Sequence, residues 1–248
     1  QIRNTGRFEL KHDLGSLPFV DRDLTRWQLY AYKNGNYKRT PGTYTMVGRD
    51  CWYRRNGGCT FCSWLTLYPN FRVRSPESLA DEIEMLVEKY EVREVFDDTG
   101  TFPVAKWLRK FCSLMIERGL NKKIYFSCNM RFGALSLEDY KLMKGAGFRM
   151  LLFGLESASQ ETLDRLNKGI SVQDIVNGCK WAREAGLEPH ITIMVGYPWE
   201  SKADALGTLK LARMLMEKGW AATLQSTVVM PYPGTRMYDE ALGNSWFR

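Results

Sequence analysis

Residues 48–62 read Gly-Arg-Asp-Cys-Trp-Tyr-Arg-Arg-Asn-Gly-Gly-Cys-Thr-Phe-Cys, a stretch that carries three of the six cysteines of the chain. Cys51, Cys59 and Cys62 come directly after a short run typical of a β-strand, so we expect their thiols to emerge together where that strand ends. Soft thiolates bind zinc, copper(I) or iron–sulfur clusters. The stretch therefore predicts a metal site at the C-terminal end of a strand.

The number of cysteines narrows the kind of metal. A structural zinc site takes four protein ligands, and no second Cys-x2-Cys pair or nearby histidine supplies the fourth. Three cysteines suit a four-iron cluster with one iron left open, whereas electron-transfer clusters use four cysteines. Three chance cysteines in a surface loop are the alternative, against which the Cys-x2-Cys pair and the flanking glycines argue.

Around this stretch, short apolar or β-branched runs alternate with amphipathic helical patterns, as in βα units with a parallel sheet. Strands are expected at residues 44–48, 94–97, 123–128, 150–153, 190–195 and 223–229. Helices are expected to begin near Ser75, Pro103, Ser136, Ser159, Ser171 and Ser201, and to end near Gly119, Gly145, Gly147, Gly186 and Gly219. An incomplete barrel and an open doubly wound sheet both fit this α/β pattern, and both place functional residues at the C-terminal ends of the strands.

The domain organisation is expected to be simple. Residues 1–40 form a lead-in segment with a short helical stretch from Leu17 through Tyr30 and a turn at residues 34–36, and residues 41–248 form one catalytic domain. The chain begins with Gln1, and we expect both ends to be cuts in a longer protein with flanking domains. His12 carries no usable signal.

Composition excludes some classes of protein and leaves others open. The 248 residues are 44% hydrophobic, which is enough for one sizeable core, and no apolar run long enough for a membrane span or a secretory signal is visible. The net charge of +7 comes from lysines and arginines interleaved with acids, which favours solvated helix faces over a nucleic-acid surface. A basic RNA-modifying protein is the alternative, and strongly salt-dependent RNA binding would favour it. The cysteine usage indicates a reducing, cytoplasmic setting.

Polar residues follow most of the predicted strands, where a catalytic face is expected. They are Asp97 and Asp98 after the second strand, Asn129 and Arg131 after the third, Glu156 and Ser157 after the fourth, and Gly196 after the fifth. An Asx turn is the alternative role for the two aspartates, and helix capping is the alternative for Ser157. For Arg131 the alternative role is an ion pair with an acidic side chain. His190 begins the fifth strand and is expected to be a structural residue at the opposite end of the sheet.

These features resemble the radical S-adenosylmethionine (SAM) superfamily, whose three-cysteine loop follows the first strand of a partial (β/α)6 TIM-like barrel. The usual spacing there is Cys-x3-Cys-x2-Cys, whereas this chain has Cys-x7-Cys-x2-Cys. Residues 154–157, Gly-Leu-Glu-Ser, are similar to the Gly-Ile-Glu-Ser sequence of one large branch, and residues 231–238 match its Pro-Tyr-Pro-Gly-Thr-x-x-Tyr signature. Many members of that branch carry an N-terminal cobalamin-binding domain, whose Asp-x-His-x-x-Gly motif does not occur here.

The resemblance implies roles for individual residues. Cys51, Cys59 and Cys62 would hold a [4Fe–4S] cluster, and Phe61 would lie against the adenine of SAM, with core packing as its alternative. Asp98, or Asp97 next to it, would meet the ammonium group of the cofactor. The remaining implied contacts are Glu156, Ser157 and Gly196 for the cofactor, and Asn129 and Arg131 for cofactor or substrate.

The resemblance also implies a function. The enzyme would cleave SAM reductively to a 5'-deoxyadenosyl radical, most simply for methylation of an unactivated carbon, with cobalamin reached through a domain absent from this chain. Cyclisation, rearrangement or another tailoring reaction is the alternative within the family, and a non-catalytic iron–sulfur electron-transfer module is the alternative outside it. The implied partners are a small-molecule substrate and an external electron donor such as flavodoxin or ferredoxin.

Overall fold

Six parallel strands form one curled sheet in the computed structural model, which describes residue 3, residues 13–32 and residues 35–246. In chain order the strands are β1 (Gly42–Thr45), β2 (Gly48–Arg49), β3 (Arg72–Val73), β4 (Glu94–Asp97), β5 (Tyr125–Met130), β6 (Phe148–Glu156), β7 (Glu188–Val195) and β8 (Thr223–Val228). The sheet order is β1-β4-β5-β6-β7-β8, while β2 and β3 pair with each other in antiparallel fashion. The predicted partial barrel is therefore confirmed.

Eight helices lie in the described part of the chain, and most of them connect consecutive strands of the sheet along its outer, convex face. They are α1 (Trp64–Leu67), α2 (Pro76–Tyr90), α3 (Ala105–Glu117), α4 (Leu137–Gly145), α5 (Gln160–Arg165), α6 (Val172–Glu184), α7 (Lys202–Glu217) and α8 (Arg236–Gly243). Five of them begin after a serine whose side chain accepts a hydrogen bond from the backbone amide three positions later in the chain. These serines are Ser75, Ser136, Ser159, Ser171 and Ser201. These side chains satisfy amide groups that a helix start would leave unpaired.

The core lies between the sheet and the helices. Phe102, Phe111, Phe126 and Phe148 are fully buried there, with ring centroids 4.9–6.1 Å apart. Most of these ring pairs meet edge to face, an arrangement that aromatic quadrupoles favour. This packed layer holds the strands in register, so that their C-terminal ends meet at one rim of the sheet.

The lead-in segment runs along the free edge of β1. Its described residues form three short 3₁₀ turns, Leu14–Ser16, Asp23–Thr25 and Trp27–Leu29, so the helical stretch expected from Leu17 through Tyr30 is broken into short pieces. Arg26 between the last two turns has a φ of +49°, which breaks helical geometry. The Ala31 carbonyl accepts a hydrogen bond from the Gly42 amide at 2.9 Å, so the segment covers part of the edge.

Several predicted boundaries were wrong. The first strand begins two residues earlier than predicted, at Gly42, and it ends at Thr45, because Gly48 instead pairs with Val73 and donates its amide to the Thr99 hydroxyl at 2.8 Å. The strand predicted from residue 123 begins at Tyr125, since a 3₁₀ turn occupies Leu120–Lys122. The fourth and fifth strands start two residues earlier than predicted, the third and fourth end two and three residues later, and the last ends one residue earlier. Helix α3 begins at Ala105 and not at Pro103.

Some expectations fall on residues that are not described. They concern residues 1, 2, 4–12, 33, 34, 247 and 248, which include His12 and the first residue of the turn at 34–36.

His190 lies near the N-terminal end of β7, where burial lowers its pKa. Within the described ranges, none of the helices has the length and the apolar character that crossing a bilayer requires.

Candidate functional site

The loop that carries the three cysteines folds back on itself. Between Cys51 and Cys59 the chain forms a 3₁₀ turn, Trp52–Asn56, and reverses at Gly57 and Gly58, whose φ angles are +83° and +67°. Glycine adopts such angles without the steric cost that other residues meet. The four residues by which the first gap exceeds the usual family spacing are therefore absorbed in one turn.

The three thiols lie within electrostatic reach of one another. The pKa of Cys62 is raised to about 11, first by burial and then by the negative charge of Cys59 and Cys51. Burial also raises the pKa of Cys51, an effect that Cys59 increases and that Thr101 and Arg131 oppose. All three side chains are only partly buried, so a ligand can still reach them.

The start of the loop is fixed against the end of β4. Asp50, fully buried and at a φ of +76°, forms an ion pair with Arg54 and accepts the amide of Cys51 at 2.7 Å. The Cys51 thiol lies 3.0 Å from the Thr101 hydroxyl. A side chain at Gly100 would come within 3.0 Å of the Asp50 carbonyl oxygen, so the glycine permits this close approach.

Two buried cations approach the thiols. The guanidinium of Arg131 donates to Cys59 Sγ at 3.7 Å and to the Lys168 carbonyl oxygen, and it stacks 3.6 Å from the centre of the Tyr53 ring. Arg131 thus uses a thiol, a carbonyl and an aromatic face within the described chain instead of pairing with an acid. Burial alone would lower the pKa of Lys168, but the charges of Glu156 and Cys59 outweigh it and raise that pKa.

Lys168 and Glu156 form a buried ion pair at the end of β6. Their Nζ and Oε1 atoms are 2.6 Å apart, and each side chain is 8% exposed. Glu156 has a φ of +63° at a β-bulge opposite β7, a conformation that costs about 1–3 kcal/mol for a residue with a side chain. A Cβ at Gly154 would lie only 2.1 Å from Glu156 Oε1 and 2.6 Å from Lys168 Nζ. The glycine therefore makes room for the pair.

The adjacent aspartates after β4 have different surroundings. The Asp97 carboxylate is fully buried and accepts the amides of Val47 at 2.7 Å and Thr99 at 3.0 Å. Asp98 is only partly buried, and it accepts the side-chain amide of Asn129 at 3.1 Å. Burial raises the pKa of Asp98, while the hydrogen bond from Asn129 opposes the rise. Asp97 is therefore used to hold the backbone at Val47 and Thr99, whereas the Asp98 carboxylate is partly exposed and accessible to a ligand.

The other candidate residues differ in how near they lie to the thiols. Phe61 packs partly buried beside Leu166 and Met237, and its ring centre is 5.8 Å from Lys168 Nζ. Ser157 is fully buried, and its hydroxyl accepts the Ser159 amide at 3.1 Å in a local turn, while Ser159 is the residue that caps α5. Gly196 is exposed, with a φ of +86° and its amide 2.6 Å from Glu200 Oε2.

The structure therefore brings Arg131 to Cys59 and Lys168 to Glu156 on one rim, with Cys51 and Cys62 within electrostatic reach of Cys59 and with Phe61 beside Lys168. Lys168 and Thr101 were not predicted as site residues. The neighbours of Lys168 in the sequence, Asn167 and Gly169, give no sign that this lysine will be buried. Asp98 and Asn129 form a second polar pair on the same rim.

Comparison with known proteins identifies a family for most of the chain. The family model described as the radical SAM superfamily matches residues 47–212, about two thirds of the chain. An uncharacterized methyltransferase of Pyrococcus horikoshii is 28% identical over 99% of this chain and 50% of its own length. An anaerobic magnesium-protoporphyrin IX monomethyl ester cyclase of Cereibacter sphaeroides is 29% identical over 89% of this chain and 36% of its own.

Solved structures show the same fold. The radical SAM methyltransferase TsrM of Kitasatospora setae, solved with cobalamin and a [4Fe–4S] cluster, superposes with a TM-score of 0.69 at 16% sequence identity. That match covers 88% of this chain and 44% of TsrM. The chain thus spans half or less of the length of each of these three proteins.

Proposed function

This chain belongs to the radical SAM superfamily, and we propose that it cleaves SAM at a [4Fe–4S] cluster held by Cys51, Cys59 and Cys62, in order to methylate an unactivated carbon. As a member of the family the protein is an enzyme whose cofactors are a [4Fe–4S] cluster and SAM. The observation that carries the proposal is the approach of three partly buried thiols to one another beside two buried cations.

The donor set fits such a cluster. No three His, Cys, Asp or Glu side chains within the described ranges come close enough to hold one metal ion. Each thiolate of a four-iron cluster binds a different iron, so its ligands stand further apart than those of a single ion. Arg131 and Lys168 supply positive charge next to Cys59, which would partly offset the negative charge of a cluster bound by thiolates.

When bound, the cluster supplies one electron to SAM, whose carbon–sulfur cleavage gives a 5'-deoxyadenosyl radical. The protein has to hold the amino-acid end of SAM with groups of opposite charge. We assign the ammonium group to Asp98, which Asn129 orients at 3.1 Å, and the carboxylate to Lys168 or Arg131. Phe61, partly buried beside Lys168, offers an apolar face for the adenine.

Methylation is supported by the relatives that are named methyltransferases. TsrM was solved with cobalamin, and we propose that cobalamin also serves here as the methyl carrier, bound by a separate module of the protein. We further propose that the electron comes from a flavodoxin or ferredoxin and that the substrate is a small molecule.

Cyclisation is the second candidate function. It is favoured by the 29% identity to the anaerobic magnesium-protoporphyrin IX monomethyl ester cyclase, which is close to the 28% identity to the methyltransferase. The two outcomes differ in whether a methyl group from SAM appears in the product, so SAM with an isotopically labelled methyl group separates them.

The deciding experiment is anaerobic reconstitution of the protein with iron and sulfide, followed by addition of dithionite and SAM. We expect about four irons and four sulfides per chain and formation of 5'-deoxyadenosine. The variant with Cys51, Cys59 and Cys62 all changed to alanine should form none. An iron–sulfur electron carrier would bind the cluster and yield no 5'-deoxyadenosine, and that result would overturn the proposal. A corrin spectrum of the full-length protein tests the cobalamin assignment separately.

A further inference from the structure

A cavity of about 510 Å³ lies between the lead-in segment and the free edge of β1. Its walls are rich in aromatic rings, contributed by Phe19, Tyr30, Tyr37 and Tyr44. Tyr30 is 68% exposed and Phe19 37% exposed, although both are large apolar side chains. A cavity of this size with mostly apolar walls and a few polar groups has the typical features of a small-molecule site.

The cavity reaches the rim on which the candidate site lies. Thr45 and Met46, at the end of β1, line it together with Asp98, which follows β4. The Asp98 amide donates to the Thr45 carbonyl oxygen at 2.9 Å, so these residues form one continuous piece of wall. Arg49, another lining residue, precedes Cys51 by two positions. A molecule in the cavity would therefore have one end next to the site.

Three arginines and two acids, Glu82 and Asp98, line the cavity, so its wall carries an excess of one positive charge. Arg22 and Arg74 both form ion pairs with Glu82, so one carboxylate serves two guanidinium groups. Arg49 donates only to the backbone carbonyls of Met46 at 3.1 Å and Gly48 at 3.3 Å, and no acid of the described chain lies within ion-pair distance of it. A guanidinium in this situation favours an anionic ligand group, which it can bind with two parallel hydrogen bonds.

Resting on the function proposed above, we infer that this cavity binds the substrate, and that the substrate combines a flat apolar body with an acidic group that pairs with Arg49. The aromatic walls contact the body, and the pairing at Arg49 fixes its orientation. Because Arg49 and Asp98 both lie at the rim end of the cavity, the part of the substrate next to the acid faces the site where SAM is held. The cavity thus selects the substrate by charge as well as by shape.

Two fluorescent probes that share one aromatic body test this inference. 8-Anilino-1-naphthalenesulfonate carries an anionic group, and N-phenyl-1-naphthylamine is its uncharged counterpart. Titration of the full chain without cluster or SAM should show tighter binding of the anionic probe. Arg49→Gln should weaken the anionic probe on the order of tenfold, the effect of one charged hydrogen-bonding group, and the neutral probe less than about twofold. Equal weakening of both probes, or of neither, would overturn the inference.

A second set of variants avoids any dependence on the fold around Arg49. Val20 lines the cavity and is 62% exposed, so charged residues are tolerated there. Val20→Lys should tighten and Val20→Glu should weaken the anionic probe, with little change for the neutral one. Arg183→Gln, on the exposed side of α6, is the matched control and should change neither. Identical affinities in the two Val20 variants would contradict the charge selection.

The test does not depend on catalysis. If the anionic probe binds as expected but reconstituted protein forms no 5'-deoxyadenosine, the charged cavity stands and the proposed function fails. If 5'-deoxyadenosine forms but the probes show no charge preference, the proposed function stands and the substrate assignment fails.

Discussion

The rim of the sheet and its convex face place the same side chain, cysteine, in different surroundings. On the convex face Cys112, Cys128 and Cys179 are fully buried among apolar side chains, and burial raises the pKa of Cys112 and of Cys179 to about 12. At the rim the thiols are partly buried, near one another and near two cations. Burial raises the pKa of thiols in both regions, to about 11 for Cys62 at the rim, so the rim differs in the partial exposure of its thiols and in the two cations beside them.

The two regions also differ in how their local features affect the stability of the folded protein. The rim contains a buried ion pair and two acids, Asp50 and Glu156, at positive φ, and each of these features disfavours folding unless its surroundings compensate. The convex face has the interlocked phenylalanine rings and regular helices that supply stability. We therefore expect substitutions at the rim to affect catalysis first, and substitutions on the convex face to affect stability first.

The largest effect is expected from exchanging one cysteine in each region for alanine. Cys59→Ala removes a proposed cluster ligand, so 5'-deoxyadenosine formation should fall by more than the roughly 100-fold that indirect changes around a metal cost. Cys179→Ala should leave activity within about twofold and lower the free energy of unfolding by about 1 kcal/mol, because it leaves a small cavity. Product chromatography and denaturant unfolding measure the two quantities. If Cys179→Ala also lost iron, the division between the two regions would not hold.

The next largest effect concerns the buried pair of Lys168 and Glu156. Lys168→Met leaves Glu156 buried without its partner, which should destabilise the protein by about 3–5 kcal/mol and reduce SAM cleavage about 10- to 100-fold. The double variant Lys168→Met with Glu156→Gln removes both charges and should recover most of the stability but not the activity. Recovery of both together would show that the pair serves folding alone.

How well the sequence predicts each region depends on how far apart along the chain the residues that contact each other lie. The five serine caps were predicted because each interacts with an amide only three residues away. The end of β1 was not, because Gly48 leaves the sheet to contact Thr99, which lies 51 positions further along the chain. The structure of the convex face can therefore be predicted from local sequence patterns to a greater extent than the structure of the rim.

The roles of the site residues likewise depend on contacts that the local sequence does not reveal. Adjacent aspartates look equivalent in the sequence, and only the fold shows that Asp97 is used by backbone amides while Asp98 is not. Lys168 becomes significant only when β6 and the turn after α5 bring it to Glu156, 12 positions earlier in the chain. A lysine is usually exposed, so composition and periodicity predict a solvated side chain there.

A smaller effect is expected from two glycines, one in each region. Gly154→Ala would push against the Glu156 and Lys168 side chains, which have little space to retreat, and should cost about 1–3 kcal/mol of stability together with part of the activity. Gly207→Ala lies in the interior of α7, where a Cβ meets nothing within 4 Å, and should raise stability by about 0.5–1 kcal/mol. Thermal unfolding and SAM cleavage measure both variants. Effects of the same sign at the two positions would contradict the interpretation.

The smallest effect is expected at Thr101, whose hydroxyl lies 3.0 Å from Cys51 Sγ and 2.8 Å from the Gly100 carbonyl oxygen. When Cys51 binds iron as a thiolate, this hydroxyl can turn and donate to the sulfur, which stabilises the more negative, reduced state of the cluster. Thr101→Val removes the donor with little change of shape, so the reduction potential should fall by roughly 40 mV, the equivalent of one hydrogen bond of about 1 kcal/mol. With an electron donor of fixed potential, the ratio of reduced to oxidised cluster then falls about fivefold, and SAM cleavage limited by cluster reduction should slow by up to that factor.

Thr101→Ser retains the hydroxyl and is the matched variant, so it should keep both the potential and the rate near those of the unchanged protein. A redox titration followed by electron paramagnetic resonance, performed on reconstituted protein, measures the potential directly. If the valine and serine variants shifted it equally, Thr101 would act through packing at the rim. The rim would then depend on shape in the same way as the convex face, and the contrast between the two regions would narrow to the cysteines and their cations.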